Sequence, residues 1–411
     1  QRTIKEYYRL KDWIIKFMKR VCIVTATRAE YGLLKPIILK LQAQNNLEVR
    51  VVATGMHLSP EFGMTCQEIE QDGIRLDRKI EILLSADTSS AISKSMGLAM
   101  ISFADYFSER KPDLLIVLGD RYEILAVATT AMNARIPIAH LYGGDITEGA
   151  VDDVVRHAIT KMSYFHFTAT REHRRRVIQM GESPERVFWV GAMSVENAFD
   201  VKKISMHDLQ EQIAFYWNRD LEKMAVVTFH PVTLEDDTAR EQFQNILNAL
   251  DYFEDLKVIF TKANADAGGR VINHMIDDYV NEHPQKSKAY TSLGQLRYLS
   301  AVSLADVVIG NSSRGLSEVP TFHVPTVNIG DRQRGRVCGK TVISCGVAEK
   351  EITDAIQKAL SQTFRNEICN EKNPYEKKGT SDAIVKILTE NLNKKNIDLK
   401  KHFYDLADLE V

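Results

Sequence analysis

Short apolar, β-branched runs alternate along this chain with longer stretches whose apolar residues recur every three or four positions. That alternation predicts parallel strands joined by crossover helices. In the first half the predicted strands are Val21–Thr25, Glu48–Thr54, Leu114–Leu118, Pro137–Leu141, Phe165–Thr168 and Val187–Val190. Helices are predicted over Tyr31–Gln44, Ala91–Ser108, Ile124–Asn133 and Val151–Lys161. The pattern then restarts, with strands at Ala225–Phe229, Lys257–Thr261, Ala289–Thr291, Val307–Ile309 and Thr326–Ile329 and helices near Thr238–Tyr252, Arg270–Glu282 and Leu293–Ala301. Two doubly wound α/β domains follow, over residues 18–195 and 196–378, with a junction near Gly191–Leu209 where the strand pattern lapses. A last helical stretch, Thr380 to Asn393, opens a segment 379–411 free to pack back on the first domain.

The length supports that division, because 411 residues exceed the roughly 250–300 at which one core usually splits. A net charge of −2 provides no field to recruit nucleic acid or an acidic membrane, so a phosphate-bearing ligand must be held by local cations. The five cysteines are odd in number and form no CxxC pair, so a reduced, cytoplasmic setting is expected. No apolar run approaches the ~20 residues of a membrane span. Gln1 to Phe17 is charged and aromatic, unlike a secretory signal, and Met18-Lys19-Arg20 has the form of a natural start preceded by an extension.

In open α/β sheets ligands bind outside the carboxyl ends of the strands, so the residues just after each strand are the candidates. Val307-Val308-Ile309-Gly310-Asn311-Ser312-Ser313 reads as a strand, a tight turn and a helix start, where N–H groups, two hydroxyls and a helix dipole would meet a phosphate. Glu318, about two turns on, could accept hydrogen bonds from the vicinal hydroxyls of a ribose; the plainer reading is a capped helix. The first strand runs into Thr25-Ala26-Thr27-Arg28, without a GxGxxG fingerprint, which disfavours a dinucleotide and leaves Arg28 as a phosphate or substrate clamp. Other strands end in Thr54-Gly55-Met56-His57, in Gly119-Asp120-Arg121, in His140-Leu141-Tyr142-Gly143-Gly144-Asp145 and in Phe229-His230-Pro231. Asp152, Asp153, Arg156 and His157 follow on the next helix, and Gly330-Asp331-Arg332-Gln333-Arg334-Gly335-Arg336 suits a loop over anionic groups. Each has a plainer alternative: Asp152 and Asp153 as first-turn helix acids, His57 and His230 as buried histidines, and Asp120-Arg121 as a surface ion pair. The histidines and cysteines show no metal-ligand spacing, so no metal is expected.

Taken together, TATRAEYG at Thr25–Gly32, TGMH at Thr54–His57, GDR at Gly119–Arg121, the block from Gly143-Gly144 through Asp152-Asp153 to Arg156-His157, Phe229-His230-Pro231, Gly310–Ser313 with Glu318, and Gly330–Gln333 resemble the hydrolysing UDP-N-acetylglucosamine 2-epimerases of bacterial sialic acid synthesis. The likeness runs from Met18 to about Val385. It implies two Rossmann-like domains of the GT-B type with the active site in the cleft, release of UDP and N-acetylmannosamine, a cytoplasmic homo-oligomer (dimer or tetramer), and no cofactor. Related enzymes use UDP-diacetamido-trideoxyhexoses on the way to legionaminic acid. By resemblance Asp120 and Asp152 are the acid/base carboxylates. His230, Arg28, Ser312 and Ser313 hold the diphosphate, and Glu318 the ribose. His57, Arg121, Arg156, His157, Gly294, Asn311, Arg332, Gln333 and Arg336 line the substrate. Many relatives carry a glutamate or histidine where this chain has Tyr142, so the third catalytic group is either Tyr142 or Asp145.

The chemistry implied is an anti elimination of UDP across C1 and C2 to a 2-acetamidoglycal. Water then adds to C1 and a proton to the opposite face of C2. This needs a base, an acid and cationic stabilisation of the departing diphosphate. A non-hydrolysing epimerase, a GT-B glycosyltransferase and a non-catalytic nucleotide-sugar sensor are the competing readings.

Overall fold

Strand β1 (Lys19–Thr25) shows how the first sheet is built: Val21 and Ile23 face one hydrophobic layer while Cys22 and Val24 face the other. β4 (Leu114–Leu118) repeats the alternation with no polar residue, as a strand covered on both faces must. The computed structural model describes residues 18–84, 88–148, 151–231, 238–263, 269–394 and 397–406, so the expectation for residues 1–17 lies outside the described residues. With β2 (Leu47–Thr54), β3 (Leu76–Ile80), β5 (Ile138–Leu141), β6 (Phe165–Thr168) and β7 (Val187–Trp189), these strands form a parallel sheet ordered β3-β2-β1-β4-β5-β6-β7. One face is covered by Leu34 and Ile38 of helix Arg28–Gln42 and by Ile384 and Leu388 of helix Thr380–Leu392. The other is covered by Phe103 and Phe107 of helix Ser89–Arg110, Ile124 and Val127 of helix Tyr122–Asn133, and Ile159 of helix Val151–Met162.

The second sheet holds β8 (Lys223–Thr228), β9 (Leu256–Thr261), β10 (Ser287–Tyr290), β11 (Val307–Gly310), β12 (Thr326–Ile329) and β13 (Val342–Cys345), in the order β10-β9-β8-β11-β12-β13 and all parallel. The described residues divide into two compact units. One holds the described residues within 18–145, 151–193 and 377–406, the other those within 146–148 and 194–376. Both are doubly wound α/β units, and in each the strand order reverses between the first strand and the fourth.

Two strands escaped the hydrophobic pattern, β3 and β13, and both are sheet edges. β3 reads Leu-Asp-Arg-Lys-Ile, with one buried residue of five, because an edge has no neighbour on one side and its polar residues blunt further pairing. The Gly191–Leu209 stretch, where the strand pattern lapses, is helical over Met193–Asp200 and Met206–Ile213. No described helix is long and apolar enough to cross a membrane, and the five cysteines form no disulfide.

Candidate active site

In doubly wound sheets the crevice for a ligand opens where the strand order reverses. In the first unit that point lies between the ends of β1 and β4, and in the second between β8 and β11.

At the end of β4, Gly119 takes a left-handed φ of +79° and Asp120 follows. Its carboxylate accepts a fork from Arg156, through Nε at 2.9 Å and through Nη2. Arg156 also donates to the Asp145 carbonyl (3.0 Å) and to Asp153 (3.3 Å). Burial works against its charge, but Asp120, Asp145 and Asp153 together raise the guanidinium pKa further. The Arg156 side chain is 3% exposed and that of Asp120 28%, so the acid is pinned from below with part of its surface open. Asp152 stands four residues before Arg156 on helix Val151–Met162, an interval that puts both on one helix face. His157, beside Asp153 at 3.4 Å, has a pKa lowered by burial.

The same strand ends hold groups that act on the fold around them. His140 is wholly buried, with Nε2 2.7 Å from the Gly119 carbonyl oxygen and Nδ1 3.1 Å from Thr160 Oγ1, and burial pushes its pKa down to about 3. His57 is wholly buried too, its ring between Thr25 Oγ1 (3.0 Å) and Thr65 Oγ1 (2.8 Å), with a pKa of about 4 because of burial. Such a ring ties the β1 and β2 ends together and presents no nitrogen to a ligand. Arg28 sits on the surface, engaged by Glu68 at 3.0 Å. Arg121 forks onto the fully buried Glu123, at 2.9 to 3.3 Å. Asp145 lies 3.3 Å from the buried His173. Tyr142, in a left-handed conformation (φ +68°), leans on the first unit's hydrophobic layer.

In the second unit, Gly310 (φ +137°) brings β11 so close to β8 that a Cβ would stand 1.8 Å from the Thr228 carbonyl oxygen. Asn311 follows, 1% exposed. Its side chain accepts from the His230 N–H (2.8 Å) and donates to the His230 carbonyl (2.7 Å), while its own carbonyl accepts from Arg332 (3.0 Å) and Gln333 (2.8 Å). Asn311 therefore organises His230, Arg332 and Gln333, with both polar atoms of its side chain bonded to the His230 backbone. Ser312 caps a helix of only five residues, Ser313–Ser317. That is too short for the dipole argument, yet the N–H groups of Ser312 and Ser313 make no hydrogen bond among the described residues. Glu318 closes this helix at its C-terminal cap, 3.7 Å from Arg314, and burial raises its pKa. Gly294, at φ +66°, opens helix Gly294–Leu304 with its N–H on Ser292 Oγ. Arg336 donates to the Ile146 carbonyl (3.2 Å) and to Thr147 Oγ1 (2.8 Å), so the 330–336 loop is tied down at this end.

The structure thus brings Asp120, Arg156, Asp145 and the first turn of helix Val151–Met162 together in one unit, and His230, Asn311, Ser312, Arg332 and Gln333 in the other. Arg28 lies on the surface, paired with Glu68. Sequence reasoning missed Glu30 and Glu123. Glu30 is buried at the foot of helix Arg28–Gln42, accepting the Ala26 N–H at 2.7 Å, and burial pushes its pKa up to about 8. The one available signal was an acid set directly against apolar runs, as in Glu123-Ile124-Leu125-Ala126. A cavity of about 570 Å³ lined by Met100, Phe107, Pro112 and Ile136 lies at the opposite end of the strands, away from all of these groups. Among the described residues no cluster of three His, Cys, Asp or Glu side chains could hold a metal.

Comparison with known proteins identifies the family and the fold. The family model for UDP-N-acetylglucosamine 2-epimerases matches residues 39–389. The GDP/UDP-N,N'-diacetylbacillosamine 2-epimerase (hydrolyzing) of Campylobacter jejuni is 38% identical over 388 residues, covering 94% of this chain and 99% of that one. Polysialic acid biosynthesis protein P7 of Escherichia coli is 35% identical over 393 residues, covering 95% and 98%. The crystal structure of UDP-GlcNAc 2-epimerase from Neisseria meningitidis bound to UDP-GlcNAc superposes with a TM-score of 0.79 at 20% identity, over 90% of this chain and all of that one, which fixes the fold as two Rossmann-like domains of the GT-B type. With a matching model over most of its length and relatives of this identity, the chain belongs to the UDP-N-acetylglucosamine 2-epimerase family, whose members act on UDP-sugars.

Proposed function

We propose that this enzyme is a hydrolysing 2-epimerase of a UDP-2-acetamido sugar, with Asp120 and Asp152 as its proton-transfer groups. The observation that carries the reading is that one helix organises both acids. Arg156 of helix Val151–Met162 forks onto Asp120, and Asp152 shares the Arg156 face of that helix. Two carboxylates set by one rigid element suit a reaction that removes a proton at C2 and returns one to the opposite face. In the first step C2–H is deprotonated while the C1–O bond breaks and UDP departs. In the second, water oxygen bonds to C1 and C2 is reprotonated, giving the free 2-epimeric sugar. Tyr142 or Asp145 is the third group of this site. The unpaired N–H groups of Ser312 and Ser313, with His230, take the diphosphate, and Glu318 the ribose hydroxyls.

For the sugar itself, the 38% identity to the diacetylbacillosamine enzyme supports a UDP-2,4-diacetamido-2,4,6-trideoxyhexose. The 35% identity to the polysialic acid protein supports UDP-N-acetylglucosamine, with N-acetylmannosamine as product. Incubation with each sugar nucleotide, followed by measurement of released UDP and of the free sugar, separates the two. Turnover of neither substrate, or return of an intact UDP-sugar epimer, would contradict the hydrolysing assignment.

A further inference from the structure

Residues 397–406 run back over the first unit and are held there by contacts that no sequence motif announced. Lys401 Nζ donates to the carbonyls of Lys161 (2.9 Å) and Ser163 (2.8 Å) and to the Glu182 carboxylate (2.8 Å). Two residues on, the Phe403 ring lies against Gly181 so closely that a Cβ there would come within 2.3 Å of it, and Lys161 Nζ sits 5.1 Å from the ring centre. The Tyr404 N–H donates to the Gly181 carbonyl at 3.0 Å. Glu182 is wholly buried and also receives Lys161 (2.7 Å) and His166 (3.1 Å). Burial alone would raise its pKa, but the His166, Lys161 and Lys401 donors bring it down to about 2, so Glu182 stays ionised throughout the neutral range, while burial lowers the pKa of His166 and of Lys401.

The two carbonyls that Lys401 takes lie at the C-terminal end of helix Val151–Met162, one in its last turn and one just beyond. The last carbonyls of a helix lack intrahelical partners, and a cation there also meets the negative end of the helix dipole. At the other end of this helix stands Asp152, and at its middle Arg156, forked onto Asp120. In the last turn, Thr160 bonds back to the Arg156 carbonyl and lies against His140, whose other nitrogen meets the carbonyl of Gly119, the residue before Asp120. His166, on Glu182, is the register partner of His140 on the neighbouring strand. The flank of the helix is packed through Val155 and Ile159, and Lys401 adds a contact at its C-terminal carbonyls.

We propose that the 397–406 strap, through Lys401, sets the position of helix Val151–Met162 and so of the Asp120–Arg156 pair and Asp152, which makes Lys401 a positioning residue for proton transfer. This rests on the roles given above to Asp120 and Asp152. The test compares wild type with Lys401→Met, Lys401→Arg and Phe403→Ala for kcat, UDP affinity and amide hydrogen exchange over 153–163. Lys401→Met should lower kcat on the order of tenfold, below the roughly hundredfold of a full 1 Å misplacement. UDP affinity should stay within about twofold, because the groups assigned to UDP lie in the other unit, and Lys401→Arg should restore most of kcat. Phe403→Ala should show a smaller loss of the same kind, and exchange over 153–163 should quicken in step with the loss. An unchanged kcat in Lys401→Met, or parallel losses of kcat and UDP affinity, would overturn the proposal. Asp120→Asn run alongside separates the two claims. If it is inactive while Lys401→Met is fully active, the strap fails and the acid/base reading survives. If it keeps turnover, the acid/base reading fails whatever the strap does.

Discussion

The two strand-end clusters are built from opposite materials. In the first unit Asp120, Arg156, Asp153, Asp145, Arg121 and Glu123 form a network of charged pairs, much of it buried. In the second unit Gly310, Asn311, Ser312 and Gln333 offer amides, hydroxyls and backbone, with His230 fixed by its main chain. Charged pairs hold carboxylates at a set position and keep them ionisable, which proton transfer needs. Backbone N–H groups beside the guanidinium of Arg332 suit an anion such as a diphosphate. The contrast supports the proposal that the first unit carries the chemistry and the second binds the nucleotide.

The sharpest way to break that division is at the charged end. Asp120→Asn should cut kcat by about 10²–10⁴-fold, the usual contribution of a general acid or base, while UDP affinity holds. Asp152→Asn should behave alike, and steady-state kinetics with UDP titration reads both. Next comes Gly310→Ala, whose methyl would collide with the Thr228 carbonyl oxygen. A backbone atom cannot rotate aside, so denaturant melting should show a loss above the about 1–3 kcal/mol of ordinary overpacking, and UDP binding should suffer with it. Glu318→Ala should weaken UDP by roughly 1.5–3 kcal/mol, as for a lost hydrogen bond to a charged group, and inorganic pyrophosphate far less. Equal losses for both ligands would show that Glu318 does not read the ribose.

A further effect concerns pH. Glu30 has a folded pKa raised to about 8 by burial, so the folded state keeps its proton longer than the unfolded one. Its contribution to stability is whole below about 4.5 and is lost as pH rises to 8. His57 and His140 act in the opposite sense: depressed by burial to about 4 and about 3, they favour the neutral folded form, so stability falls as pH drops below 6.5. Glu30→Gln should flatten the alkaline decline in a melting series from pH 5 to pH 9 and leave the acid decline unchanged. An unaltered alkaline slope would mean that Glu30 titrates in its ordinary range.

Most of this fold was legible because its central strands are uninterrupted apolar runs such as Leu114–Leu118, which only a doubly covered sheet tolerates. The edges β3 and β13 were not: β3 carries three polar residues in five, and β13 is a four-residue run, Val-Ile-Ser-Cys, too short to stand out from its surroundings. At the candidate site, position along the strands was readable and side-chain engagement was not. Asn311 and His57 stand where a ligand group would be expected. Yet the carboxamide of Asn311 is spent on the His230 backbone and the ring of His57 on two threonine hydroxyls. Lys401 lies 240 residues from the Lys161 carbonyl it holds, a separation over which no local motif can speak.

The central claim is that this enzyme works by proton loss at C2 followed by hydration at C1, and turnover in D₂O tests it most directly. The account predicts free sugar carrying one deuterium at C2 with inverted configuration at that carbon, together with one UDP for each sugar released. Sugar without solvent deuterium at C2, or with its original configuration there, would contradict it.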